Sequence, residues 1–178
     1  MSNTRRQIIL ARITAAPFNN GTLDSIVHTL LDEARAKANS LILVLTGASD
    51  IEQFRTQVED ADAMVSRIRD ERDELPTTFK PATFKIEVAY CLASSFLFTS
   101  VFQHGGKPLV VQSDAGMVIL GKKPGINVDV LLALAESGCT VVVIPPICAK
   151  PKPRAAVISN DEFMGLLASQ LDTPIIEY

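Results

Sequence analysis

The sequence predicts an α/β fold: a three-layer sandwich in which a mostly parallel sheet of about five strands is flanked by helices. Two short runs, residues 41–45 and 140–144, are almost wholly apolar, which is typical of parallel strands buried on both faces. Segments with apolar residues at three- and four-residue spacing separate these runs and indicate helices. The length of 178 residues suits one domain.

The N-terminal part predicts a strand, a helix, a strand and a second helix. Residues 7–13 form an apolar strand, and the first helix begins after Thr22, a good N-cap residue. Residues 41–45 form the second strand. The next helix spans residues 50–72, because its apolar residues recur at alternating spacings of three and four among acidic and basic ones. The prolines Pro76 and Pro81 then indicate a linker.

The C-terminal part continues the alternation. Residues 84–102 predict a helix with apolar and small residues around most of its circumference, ended by Gly105 and Gly106. The remaining elements are predicted as a strand at 109–111, a helix at 127–136, a strand at 140–144, a helix reaching 171 and an edge strand at 174–176.

Charge and hydropathy exclude several partner classes. The net charge is −3 and the pI is 5.4, whereas nonspecific nucleic-acid binding requires a basic surface. No stretch approaches the roughly 18 uninterrupted apolar residues of a membrane span. We therefore expect a cytoplasmic protein that binds neither nucleic acid nor membrane.

The cysteines and glycines indicate neither a metal nor a cofactor. Cys91, Cys139 and Cys148 have no metal-ligand spacing. Neither G-x-G-x-x-G nor G-x-x-x-x-G-K-[ST] occurs. The sequence predicts no metal site, no cofactor and free thiols.

A candidate ligand site follows from the predicted sheet. In open parallel sheets, ligands bind beyond the C-terminal ends of the strands, which here are followed by residues 15–20, 46–50, 112–116 and 145–150. The candidate ligand-binding residues in these segments are Thr46, Gly47, Ser49, Ser113, Asp114, Gly116, Pro146 and Lys150.

Cys148 is the only thiol that follows a predicted strand end. The cations Lys150, Lys152 and Arg154 lie nearby in sequence and would favour its thiolate, the nucleophilic form. Cys148 is therefore the candidate catalytic residue. The alternative is an inert cysteine packed near a strand end.

Residues 86–148 resemble the DsrE/TusD-like sulfur-relay family. The similarity lies in the small-residue helix around residues 89–95 with Gly105 and Gly106, the strand 109–111, the turn 114–116, the helix and glycine at 131–138, and the strand 141–144 that leads to Cys148. The resemblance implies parallel strands between helices, a homo-oligomer, and a persulfide on Cys148 that passes between sulfur-donor and acceptor proteins.

In this view the chain is one α/β domain, residues 1–178. A DsrE-like core spans roughly 41–178, the amphipathic helix 50–72 is inserted into it, and residues 1–40 form an N-terminal strand–helix extension.

Two other functions stay open on the residues alone. One is a non-catalytic oligomeric module in which the apolar seam of residues 51–68 pairs subunits and the strand-end edge binds a small anionic ligand. The other is an enzyme that acts on a nucleotide or a phosphorylated metabolite at the same edge.

Overall fold

The computed structural model describes residues 7–71, 81–113, 118–119, 125–146 and 159–178. Within these ranges the chain forms seven strands, six α-helices and two short 3-10 turns. The elements are β1 (Ile8–Ile13), α1 (Ala16–Asn19), α2 (Leu23–Ala36), β2 (Ser40–Leu45), the 3-10 turns Ala48–Asp50 and Glu52–Phe54, α3 (Arg55–Glu71), α4 (Pro81–Gln103), β3 (Pro108–Gln112), β4 (Val118–Ile119), β5 (Gly125–Ile126), α5 (Asp129–Glu136), β6 (Thr140–Ile144), α6 (Asn160–Leu171) and β7 (Ile175–Glu177).

Five of the strands form one sheet in the order β3-β6-β2-β1-β7, and every neighbouring pair in it is parallel. The predicted fold, a five-stranded parallel sheet flanked by helices, is confirmed. β1 lies inside this sheet, with its Leu10 opposite Ile42 of β2 and Ile175 of β7. The short strands β4 and β5 pair antiparallel in a separate hairpin.

The alternating side chains of the central strands enter two separate cores, one on each face of the sheet. Ile9, Leu43 and Val142 point to the face covered by α2 and α4, whereas Leu10 and Val143 point to the face covered by α5 and α6. Because both faces are covered, strands β1, β2 and β6 are nearly continuous apolar runs, as expected for a parallel sheet.

Helix α4 is the long apolar helix of the first layer. Residues 84–103 are long and apolar enough to cross a membrane by length and composition. Its inward residues Ala89, Ala93, Leu97 and Val101 are nevertheless buried in the core beside α2 and the sheet. One side of the helix therefore packs in the core of the domain, and the cytoplasmic location stays a prediction.

Helix α3 packs along α4 through the seam that the sequence predicts. Phe54, just before α3, is buried, and its ring centroid lies 6.0 Å from that of Phe18 and 5.1 Å from that of Phe96. Val58 packs against the same core, and Lys85 Nζ of α4 lies 2.9 Å from the Asp62 carboxylate of α3. These seam residues are covered by their own domain, so their use in pairing subunits is not supported.

Candidate functional site at the carboxyl edge of the sheet

A polar cleft of about 510 Å³ lies where β1 and β2 end and α6 begins. Its walls come from three segments that are far apart in sequence. The residues that line it are Arg12, Thr14, Ala15, Ala16, Thr46, Gly47, Asp50, Asn160 and Asp161. This is the edge at which ligands bind in parallel α/β sheets.

Arg12 supplies the positive charge of the cleft from within the apolar strand β1. Its Nε donates to Thr46 Oγ1 at 3.0 Å, which joins the ends of β1 and β2. Its Nη2 lies 2.7 Å from Asp161 Oδ1 of α6, and its Nη1 lies 3.2 Å from Glu177 Oε1 of β7. The Arg12 side chain is only 21% exposed, so the guanidinium is held in one place by partners on three elements.

Thr14 closes the end of the cleft next to β7. Its hydroxyl donates to the backbone carbonyl of Tyr178 at 2.7 Å, and the backbone N–H of Thr14 donates to the same carbonyl at 3.0 Å. The backbone N–H of Ala16 donates in turn to the Thr14 hydroxyl at 3.3 Å. The hydroxyl therefore ties the start of α1 to the last strand.

The wall after β2 is a tight turn at Gly47, which adopts a left-handed conformation with φ of 67°. This conformation favours glycine because a Cβ would crowd the backbone. Asn19 holds the following residues: its Nδ2 donates to the Asp50 carbonyl at 3.0 Å, and its Oδ1 accepts from the Glu52 N–H at 2.9 Å. The first of these bonds holds the backbone of Asp50, which lines the cleft.

The third wall is the first turn of α6. Ser159 caps this helix, with its hydroxyl accepting from the Glu162 N–H at 3.2 Å. Asn160 Nδ2 donates to the hydroxyl of Tyr90 in α4 at 3.4 Å. Burial raises the pKa of Tyr90 above its usual 10.0, although the hydrogen bond from Asn160 and the nearby backbone of Gly47 and Ala48 oppose the shift. Tyr90 therefore stays a neutral phenol near neutral pH.

The charges that line the cleft are unequal, since two carboxylates, Asp50 and Asp161, face one guanidinium, Arg12. Glu177 adds a further carboxylate beside Arg12. Among the described residues no group of three or more His, Cys, Asp or Glu side chains is arranged to hold a metal ion. The cleft can bind a small polar molecule through hydroxyls, an amide and paired charges.

A second groove of about 470 Å³ adjoins the cleft at Asp50, between the 3-10 turns, α3 and α4. Its floor is apolar and includes Ile51, Phe54 and Ala89. Arg55 and Lys85 lie on its rim, each paired with an acidic side chain of the same region.

The structure brings some of the predicted site residues together and separates others. Thr46 and Gly47 line the cleft, whereas the exposed Ser49 lines the adjoining groove. Ser113 follows β3 and is fully buried, with its hydroxyl donating to the Ile144 carbonyl at 2.7 Å, so its polar group serves the sheet. Pro146 follows β6 and is half-buried.

Four of the predicted site residues, Cys148, Asp114, Gly116 and Lys150, lie outside the described residues. Their roles therefore stay predictions from the sequence. Of the other thiols, Cys91 is exposed on α4 and Cys139 is half-buried before β6.

Sequence reasoning missed the residues that complete the cleft. The strongest available signal was Arg12, a charged residue near the end of an otherwise apolar strand, because a largely buried cation requires partners. Asn160 and Asp161 lie at the start of the last helix, where polar residues usually act as helix caps and so do not indicate a ligand site. Tyr90 gave no signal, because a tyrosine in a helical apolar pattern is usually a core residue.

Comparisons with solved structures identify proteins of the same fold. No family model matches the chain, and no curated protein sequence does. An isopentenyl phosphate kinase superposes with a TM-score of 0.60 at 13% identity, covering 96% of this chain and 71% of that one. The T. acidophilum isopentenyl phosphate kinase gives a TM-score of 0.58 at 12% identity, with 96% and 69% covered.

An aspartate kinase from Synechocystis gives a TM-score of 0.59 at 12% identity. The match covers 97% of this chain but only 28% of the aspartate kinase. This chain therefore spans less than a third of that enzyme and about two thirds of the isopentenyl phosphate kinases. At these identities the comparisons establish the fold.

The predicted membership in the DsrE/TusD-like family is wrong. The sulfur-relay function, which was inferred from that membership, is therefore wrong as well. The alternative, a non-catalytic binding module, gains no support from these neighbours. The resemblance rested on apolar strands, strand-end turns and small-residue helices, which every parallel α/β sheet requires. Along 96% of its length the chain has the fold found in isopentenyl phosphate kinase.

Proposed function

We propose that the chain is a kinase-like domain that transfers a phosphoryl group from a nucleoside triphosphate to a small polar acceptor bound in the carboxyl-edge cleft. The observation that carries this proposal is the position of the cleft. Arg12, two threonine hydroxyls and the turn at Gly47 meet at the ligand-binding edge of the sheet, in a fold shared with isopentenyl phosphate kinase and aspartate kinase.

The proposed reaction breaks the bond between the γ-phosphorus and the β,γ-bridging oxygen, and the acceptor oxygen forms a new bond to that phosphorus. The nucleoside diphosphate leaves with the bonding electron pair. Because phosphoryl transfer needs little covalent help, positioning and charge stabilisation supply most of the catalysis. The cleft offers positioning, since Thr46 after β2, Glu177 of β7 and Asp161 of α6 hold the Arg12 guanidinium.

The charges of the cleft favour an acceptor that carries an amine over one that carries a phosphate. Asp161 is 81% exposed and Asp50 lines the same cleft, so both can approach a substrate ammonium group. A phosphate at about 4 Å from either carboxylate would be repelled by about 1 kcal/mol even in water. An amino acid acceptor therefore fits the cleft better than a phosphorylated alcohol does.

The test is an ATP-dependent assay with Mg²⁺ in which the acceptors are aspartate, other amino acids and isopentenyl phosphate. We expect release of ADP together with a new phosphorylated product, detected by phosphorus NMR, with an amino acid acceptor. If no acceptor yields a phosphorylated product and the protein does not bind ATP by calorimetry, the proposal is wrong. If isopentenyl phosphate were the only acceptor phosphorylated, the proposed kinase activity would stand, but the preference for an amine-bearing acceptor would be refuted.

A matched pair of variants connects the activity to the cleft. Asp161→Asn removes a carboxylate from the first turn of α6, and Asp172→Asn removes one from the other end of the same helix, beside the starts of β1 and β2. We expect Asp161→Asn to raise the KM for an amino acid acceptor about tenfold, as for the loss of about 1.4 kcal/mol. Asp172→Asn should leave this KM unchanged, and equal effects would contradict the assignment of the cleft.

The homo-oligomer predicted from the sequence stays a prediction. The described residues that support it are exposed apolar side chains on α4 and on the edge strand β3, namely Phe98, Phe102, Leu109 and Val110. Surface patches of this kind often mark protein–protein contacts.

A further inference from the structure

Tyr90 is linked to two of the three walls of the carboxyl-edge cleft, although it is not one of the residues that line it. Its ring lies in the core beneath α4 and is only 6% exposed. Its hydroxyl accepts from Asn160 Nδ2 at 3.4 Å, and Ala48, which follows Gly47, is buried in the same core as the Tyr90 ring. The Tyr90 side chain thus bonds the start of α6 through its hydroxyl and shares a core with the turn after β2 through its ring.

Packing alone does not explain the hydroxyl of Tyr90. A phenylalanine ring would fill the same space without placing a polar atom in the core, and a buried hydroxyl is costly unless it is hydrogen-bonded. The hydroxyl of Tyr90 offsets this cost through its hydrogen bond with Asn160, which lines the cleft. The bond to Asn160 and the shared core with Ala48 therefore restrict how far the α6 wall and the Gly47 turn can move apart.

The hydrogen bond between Tyr90 and Asn160 also affects the position of the neighbouring Asp161 carboxylate. Asp161 follows Asn160 directly and lies 2.7 Å from Arg12. Holding the Asn160 side chain fixes the first turn of α6, on which the Asp161 carboxylate is carried. Because effective positioning depends on displacements of about 1 Å, a hydroxyl behind the wall can set the geometry in which an acceptor binds.

We propose that Tyr90 is a positioning residue that aligns the Gly47 and Asn160 walls for the acceptor. This inference rests on the proposed phosphoryl transfer for its catalytic consequence and on the contacts of Tyr90 for its geometry. Tyr90 acts through Asn160 and the Gly47 turn.

The test is Tyr90→Phe, with Tyr178→Phe as the matched control. Tyr178 is the other tyrosine of the chain, and its described hydrogen bonds at the same edge are made by backbone atoms. We expect Tyr90→Phe to raise the KM of the acceptor about fivefold while kcat changes less than about twofold, the pattern of lost ground-state alignment. Tyr178→Phe should change neither. If the two variants behave alike, the positioning role is refuted.

A double-mutant cycle with Asn160→Ala separates alignment from a general loss of stability. If Tyr90 acts through Asn160, the effects of the two substitutions on KM will not add, because each removes the same bond. Additive effects would overturn the inference while leaving the kinase proposal intact.

A spectroscopic measurement decides the geometry even if no acceptor is ever phosphorylated. In heteronuclear NMR spectra, Tyr90→Phe should shift the side-chain amide signals of Asn160 and the backbone amide signals of Gly47 and Ala48, whereas Tyr178→Phe should leave these three sets in place. Unchanged Asn160 and Gly47 signals in Tyr90→Phe would refute the inference independently of the proposed function.

Discussion

The Arg12 guanidinium of β1 and the Asp161 carboxylate of α6 lie 2.7 Å apart at the carboxyl edge of the sheet. The pair is asymmetric, because the side chain of Arg12 is 21% exposed and that of Asp161 is 81% exposed. A largely buried cation depends on its partners, whereas an exposed carboxylate can exchange them for water. The two residues should therefore contribute very differently to stability.

We predict that Arg12→Met lowers the free energy of unfolding by about 2 kcal/mol, because the buried Thr46 hydroxyl loses its donor. Asp161→Asn should lower it by less than about 1 kcal/mol. Urea unfolding at neutral pH measures both. Arg55→Met is the control, since Arg55 is exposed and pairs with Glu52 of the same segment. Equal losses for Arg12→Met and Asp161→Asn would contradict this account.

Gly47 and Gly165 form a second contrasting pair. We predict that Gly47→Ala lowers the free energy of unfolding by about 1 kcal/mol, because Gly47 has a φ of +67°. The new Cβ would lie 3.5 Å from the nearest atom, Asp50 Oδ2, so backbone strain is the cause rather than a steric clash.

In Gly165→Ala the same methyl group enters an exposed position of α6 with open space around it. We expect this substitution to raise the free energy of unfolding by about 0.5–1 kcal/mol through helix propensity. Thermal unfolding followed by circular dichroism compares the two variants. A stabilised Gly47→Ala protein would exclude the left-handed turn.

Asp24 should make stability depend on pH in the acid range. The hydrogen bond from Ser100, at 2.7 Å, and the contact with His104 hold the pKa of Asp24 below its ordinary value of 3.8. Because the folded-state pKa is the lower one, the stabilisation is fully present above the unfolded-state pKa and is lost as the pH falls through the folded-state pKa.

We therefore predict that wild type is more stable than Asp24→Asn at pH values above about 4, and that the difference shrinks as the pH falls below that value. Urea unfolding across this pH range measures it. Asp129→Asn, a change in the first turn of another helix, controls for the lost charge at a helix N-terminus. A difference that stays constant down to the lowest pH would contradict the lowered pKa.

The exposed phenylalanines of α4 allow a test of the predicted homo-oligomer. Phe102 is 67% exposed. If a second copy covers this face, Phe102→Ser should lower the mass measured by analytical ultracentrifugation at a given concentration. Met64→Ser, at an exposed apolar residue of α3, is the control. A monomeric wild-type protein, or a mass that Phe102→Ser leaves unchanged, would refute the prediction.

The sequence by itself determined the layered architecture. The apolar runs at β2 and β6 predict strands buried on both faces, and the three- and four-residue spacing predicts the helices between them, because burial in each element follows the period of its own backbone. The edge at which a ligand would bind also follows from the strand directions, and this reasoning predicted Thr46 and Gly47, which line the cleft.

Only the tertiary structure decided which residues meet at that edge. The strand order places β1 between β2 and β7, and this order brings Arg12 to Thr46, Glu177 and Asp161. No local pattern encodes strand order, because parallel strands are joined by crossovers whose ends can pair with several neighbours. The family resemblance failed for the same reason: its pattern of strands and turns is common to parallel sheets, whereas the order of the strands distinguishes one such fold from another.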